Sequence, residues 1–129
     1  MKFKLTILLL LLFIGCKEAI ETKKSITLSS GRTIEVNFEK QHHEEREPVL
    51  FIDYVNEEKV RKTKTVDEET LEIWKNLKEE AEKFEVKEAL IKYSYFTGRT
   101  KDSGEKDYGS ILYNAEKIES GDWNLRKVN

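Results

Sequence analysis

The densest set of groups able to bind a metal lies at His42, His43, Glu44, Glu45 and Glu47, where imidazole and carboxylate would suit zinc, copper or nickel. Adjacent histidines on an extended segment point to opposite sides, so this pair alone cannot close a site. A structural zinc site draws spaced ligands from two elements, and the chain holds only 2 histidines. The segment therefore reads as a solvated charged connection; His42, His43 and Glu44 are its metal candidates, and no metal is expected. The same shortage leaves a Ser–His–acid system without a base outside this segment, and no Gly-x-Ser-x-Gly occurs. The 25 acids leave room for a carboxylate-only hydrolase, but no pair stands out and a chain this short offers little space for a deep cleft. Asp53, inside an apolar run, would have a raised pKa if buried; an acid there more often sits at a sheet margin beside Lys or Arg. Glycines are too sparse for a phosphate-binding loop, and no cofactor is expected.

A second group has the composition of a contact surface. Gly98 to Gly109 reads as a polar loop carrying Arg99, Lys101, Asp102, Asp107 and Tyr108, a mobile segment between strands with a tyrosine near its end. These residues are the candidates for binding a protein partner. Asp102, Glu105 and Asp107 lack the twelve-residue spacing of a calcium-binding EF-hand. Tyr93, Tyr95, Tyr113 and Trp123 could form an aromatic ligand face, but they read better as core or cross-strand pairs.

The single cysteine, Cys16, stands in a different context. Lys2 and Lys4 make a short basic start, and Leu5 to Ile14 is a ten-residue run broken only by Thr6. At about 1.5 Å per residue the run spans about 15 Å, half the ~30 Å hydrocarbon core, which suits a signal peptide better than a membrane span. It ends in Phe13-Ile14-Gly15-Cys16. This resembles the lipobox of bacterial lipoproteins, in which a small residue precedes an obligatory cysteine; Phe13 stands where that family usually has Leu. The resemblance covers residues 1–16. It implies that residues 1–15 are removed and that the Cys16 thiol carries a diacylglycerol, so that Gly15 and Cys16 flank the cleaved bond. Several acyl chains, at about 0.8 kcal/mol per buried CH₂, would hold far better than one. Lys17 replaces the Asp that marks inner-membrane retention in enteric lipoproteins, so the resemblance implies the outer membrane of a bacterial cell envelope.

Cleavage would shorten the chain from 129 to 114 residues, enough for one core without disulfides or metal. Lys2 and Lys4 leave with a segment that holds no acid, taking the formal net charge from −2 to −4. That balance argues against nucleic acid as a partner. With its one cysteine committed to lipid, the exported domain has no internal disulfide.

The elements that must position these groups follow from periodicity. Lys17 to Lys24 is a tether, leaving residues 25–129 as a single domain. Ile26 and Leu28, then Ile34, Val36 and Phe38, alternate with polar residues around Ser29-Ser30-Gly31-Arg32, predicting a hairpin. Lys40 to Glu47 is a connection closed by Pro48. Val49 to Val55, apolar on both faces apart from Asp53, predicts a central strand. Asn56 to Lys59 reads as a turn and Val60 to Thr65 as a short edge strand. Thr65 and Glu68 fit a capping box for a helix whose stripe is Leu71, Trp74, Leu77, Ala81 and Phe84, widened by Ile73, with Glu79 and Lys83 paired on its wet side. Val86 to Thr97 is a long strand, and Ile111 to Ile118 and Trp123 to Val128 form a second hairpin. The fold class is α+β: an antiparallel sheet with one main amphipathic helix packed on one face.

The function these readings imply is a small lipid-anchored envelope protein, a non-enzymatic interaction module of the immunity, inhibitor or assembly type. The alternatives are a small-ligand or metal-binding lipoprotein and, third, a carboxylate-dependent hydrolase. Replacing Cys16 by alanine should abolish labelling of the chain by a radioactive fatty acid and move it out of the membrane fraction; labelling that survives the Cys16→Ala change would refute the lipobox.

Overall fold

The computed structural model describes residues 22–60 and 62–128. Gly15, Cys16 and the signal segment lie outside the described residues. The chain runs β1 (Thr22–Thr27), β2 (Thr33–His43), β3 (Arg46–Lys59), α1 (Thr63–Lys83), β4 (Glu88–Thr100), β5 (Lys106–Lys117) and β6 (Trp123–Val128). The strands form one sheet of 6 in the order β1-β2-β3-β4-β5-β6. The fold is α+β.

The expected all-antiparallel sheet is corrected at its centre. β3 and β4 pair in parallel, with Leu50 beside Ala89, Ile52 beside Ile91 and Tyr54 beside Tyr93. The other neighbours pair antiparallel. The reason is the helix: between β3 and β4 the chain crosses over through α1 instead of turning back in a hairpin, and a crossover returns it to the starting end of the sheet. Two antiparallel meanders thus flank a parallel pair.

One sheet face is sealed by α1. Its buried residues are Val66, Thr70, Ile73, Trp74, Leu77 and Ala81, recurring at helical spacing. They meet Ile26, Ile34, Val36, Phe38, Leu50, Ile52, Ala89, Ile91, Tyr93, Tyr113 and Ala115 from the sheet in one core. Leu71, expected in the stripe, is 42% exposed; Val66 and Thr70 take the place it was given. The helix starts earlier than expected, with Lys62 as N-cap and no side-chain cap, so Thr65 lies within the first turn and no capping box forms. Glu68 instead meets Lys64 at 3.7 Å, one turn back. At the other end Phe84 is the C-cap and Glu85 adopts φ 57°. The Glu85 N–H donates to Glu82 and the Val86 N–H to Ala81, a Schellman closure without its usual glycine.

Several expected loops belong to strands. Asn56 to Lys59 continues β3, and Val60 to Thr65 leads into and begins α1, so the predicted edge strand is absent. β1 begins at Thr22, inside the expected tether. β2 runs on to His43 and β3 starts at Arg46, leaving a tight turn at Glu44-Glu45 in place of the long charged connection. Pro48 stands within β3 where the ladder shifts register between Gln41 and His43, a place where a missing N–H is tolerated.

Leu77 is fully buried, so Leu77→Ala should cost about 2–5 kcal/mol in chemical denaturation. Leu71→Ala should stay within about 0.5 kcal/mol, because Leu71 faces solvent. Equal losses for the two would contradict the placement of the helix.

Candidate functional site

The helix meets the sheet through carboxylates set around its apolar stripe. Glu69 takes a hydrogen bond from Arg32 Nη2 at 2.6 Å and another from the Tyr93 hydroxyl. Tyr93 also accepts a hydrogen bond from Asn56 Nδ2 at 2.9 Å. Asp67 accepts from the Tyr113 hydroxyl and from Lys127 Nζ. Glu72 accepts from the Ser29 backbone N–H at 2.9 Å. Glu80 pairs with Lys24 at 3.4 Å, and Glu82 accepts from Lys117 Nζ and Trp123 Nε1, each at 2.8 Å. The partners come from β1, the β1–β2 turn, β4, β5 and β6, so these bonds fix the helix against the whole sheet. Burial, reinforced by Glu69, lifts the Tyr93 phenol well above its ordinary range, and burial followed by Asp67 does the same for Tyr113. Both oxygens of Glu69 are engaged, so this cluster positions the helix and offers no free base.

Tyr93 and Tyr113 are therefore core residues, Tyr93 with no exposed surface, and Trp123 packs edge-on against Trp74 at 5.0 Å. Tyr95 lies across Gly109, its partner on β5; a Cβ there would stand 2.8 Å from the ring. These aromatics do not form an exposed ligand face.

His42 lies exposed near the end of β2 and Glu44 in the turn that follows. Among the described residues no group of three His, Cys, Asp or Glu is placed to hold a metal ion. Asp53 is half-buried on the sheet face away from α1, between Asn37 and Lys92 in register. A shallow groove of about 600 Å³ opens at the start of β4, away from Asp53, lined by Arg46, Glu47, Lys87, Glu88, Glu116 and Lys117 among others. Its acids and bases balance, and Lys87 already pairs with Glu47 at 3.5 Å.

The contact residues are brought together, in a different form from the expected loop. Gly98 to Gly109 is largely strand: Arg99 lies one residue before the end of β4, Lys101 and Asp102 occupy a turn closed by Lys101 N–H to Glu105 at 2.7 Å, and Asp107 and Tyr108 lie on β5. β3 pairs with β4 only as far as Phe96, and β6 pairs with β5 only from Leu112 to Lys117. The β4–β5 hairpin therefore projects past both neighbours as a two-stranded arm. At its base Phe96 and Tyr108 lie 6.2 Å apart, Lys106 sits over the Phe96 ring, and Tyr108 donates a hydrogen bond to Glu57. Thr97 Oγ1 donates to the Asp107 carbonyl at 3.0 Å. Phe96, Lys106 and Glu57 were missed by the sequence reading because they belong to three separate segments.

No protein-family model matches the chain, and no curated protein and no solved structure matches it. No described helix is long and apolar enough to cross a membrane.

The helix clasps carry a pH dependence. The Lys127 and Tyr113 hydrogen bonds hold the Asp67 carboxyl below its ordinary 3.8, the Ser29 bonds hold Glu72 below 4.5, and Lys117 and Trp123 hold Glu82 below 4.5. A carboxylate with a depressed folded pKa stabilises the fold above its unfolded pKa, and that stability is lost as pH falls through the folded value. The melting temperature should fall as the pH drops below about 4.5, and the Asp67→Asn, Glu82→Gln double variant should show a shallower fall. An unchanged acid slope in the variant would show that these clasps do not contribute.

Proposed function

We propose that the protein is a lipid-anchored component of a bacterial envelope, destined for the outer membrane, whose folded domain binds a protein partner and carries out no catalysis. The anchor rests on the lipobox at Gly15 and Cys16. The observation that carries the binding reading is the projecting β4–β5 arm. Its outer backbone edges, Thr97 to Thr100 and Lys106 to Ile111, have no neighbouring strand among the described residues. A strand edge of this kind offers a row of N–H and C=O groups to a partner, and alternate side chains supply selectivity. Arg99, Lys101, Asp102, Asp107 and the 40% exposed Tyr108 are the groups it presents. Tyrosine and arginine are the residue types that most often dominate such contacts.

The test is affinity capture from envelope extract with the intact chain and with a Tyr108→Ala, Arg99→Glu variant run in parallel. The intact chain should retain a defined protein, and the variant should retain it at least about tenfold less, as loss of one or two central contacts implies. Equal retention by both would remove the arm from the account, and repeated absence of any retained protein would remove the partner reading.

A further inference from the structure

We infer that the sheet face opposite α1 is covered by a second copy of this chain, packed face to face about a two-fold axis parallel to the strands and lying between β3 and β4. The face is laid out by the register. One row across it reads Glu39, Phe51, Leu90, Asn114, Arg126, and the next reads Lys23, Asn37, Asp53, Lys92, Leu112, Val128. In both rows the acid lies on β2 or β3 and a base on β4 or β6, with apolar side chains between or beyond them; Lys23, at the β1 edge, comes opposite Val128 in the pairing. Glu35 on β2 extends the acidic side.

A rotation about the proposed axis reverses each row and lays it on itself. Phe51 then faces Leu90 of the second copy, Asp53 faces Lys92 of the second copy, and Glu39 faces Asn114 of the second copy, one strand from its Arg126. An axis running across the strands would instead stack β2 on β2 and β3 on β3, setting Glu35, Glu39 and Asp53 against their own kind. The charge pattern therefore selects one orientation. It also selects the occupant, because the surface it complements is itself.

The apolar content of the face supports closure. Val55 and Val128 are 42% and 41% exposed, and Phe51, Leu90 and Leu112 are partly exposed beside them. Sheets packed face to face stand about 10 Å apart with strands within about 30° of alignment, a spacing these side chains fill. With strands about 4.8 Å apart and about six residues overlapping, the flat footprint is roughly 500 Å², at the low end for a specific pair. The pairing is therefore concentration-dependent, and confinement to a membrane favours it by raising local concentration. An axis along the strands keeps both copies of Thr22 at the same end of the pair, the arrangement that two chains lipidated at Cys16 would need to share one membrane. This last point rests on the proposed anchor; the charge pattern does not.

The experiment uses the full chain carrying two different tags, co-expressed and extracted from membranes in mild detergent. One tag should recover the other. Lys92→Glu should lower that recovery by about tenfold or more, since it sets two acids together, and adding Asp53→Lys should restore it. Thermal melts of each variant establish that the fold survives, and the Cys16→Ala chain tests the pairing without the anchor. Failure of the tags to co-purify, or indifference to Lys92→Glu in a folded chain, would overturn the pairing. Recovery of a different protein, lost with Lys92→Glu and regained with the swap, would assign the face to that protein and overturn it equally.

Discussion

A strand pair can run parallel only if the chain between its members travels back along the sheet, and here that journey is made by α1. The distance is considerable: 21 helical residues at about 1.5 Å each span about 32 Å, roughly two thirds of the ~46 Å that the 14 residues of β3 cover. The helix has to lie on the sheet, because its stripe from Val66 to Ala81 can be buried nowhere else. Once it does, β3 and β4 are the two central strands, and each later hairpin extends the sheet outward by one strand. The topology, the location of the core and the identity of the open face all follow from this one crossover.

Apolar burial alone would leave the helix free to slide or rotate on a surface of similar side chains. The carboxylate clasps remove that freedom. Asp67, Glu69, Glu72, Glu80 and Glu82 reach different strands and turns, and each finds a donor there. Exposed ion pairs of this kind contribute little singly, but hydrogen bonds that engage Tyr93, Tyr113 and Trp123 tie the polar rim to two aromatic groups buried in the core and a third packed against it. A shift of the helix by one turn would break all of them at once. Thus the rim specifies position, while the stripe supplies the driving force.

The same arrangement leaves the polar network around Glu69 with no free base, because Arg32 and Tyr93 occupy both of its oxygens. What remains open is the far face of the sheet and the arm formed where β4 and β5 outrun their neighbours. Both carry aromatic, aliphatic and charged groups together, and the far face also holds the shallow groove at the start of β4.

Much of this domain was legible from local pattern. Alternation marked the β1–β2 hairpin and the β5–β6 hairpin, and helical spacing marked Trp74, Leu77 and Ala81, because the periodicity of a half-buried element is written in consecutive residues. Element ends were less legible. Glu85 closes the helix in a left-handed conformation without a glycine, and polar residues such as Asn56 to Lys59, which read as a turn, and Arg99 and Thr100, which read as loop, lie extended in β3 and β4. The residues grouped by composition lie together on one hairpin, yet its form as an arm depends on Phe96, Lys106 and Glu57, which meet only in three dimensions. The run from Val49 to Val55 recorded that β3 is apolar on both sides, and the acid at Asp53 was visible within it. Its neighbour Lys92 was not, because strand order depends on whether a helix crosses over or a hairpin turns back. That choice is made by the packing of the whole chain, and no single segment encodes it.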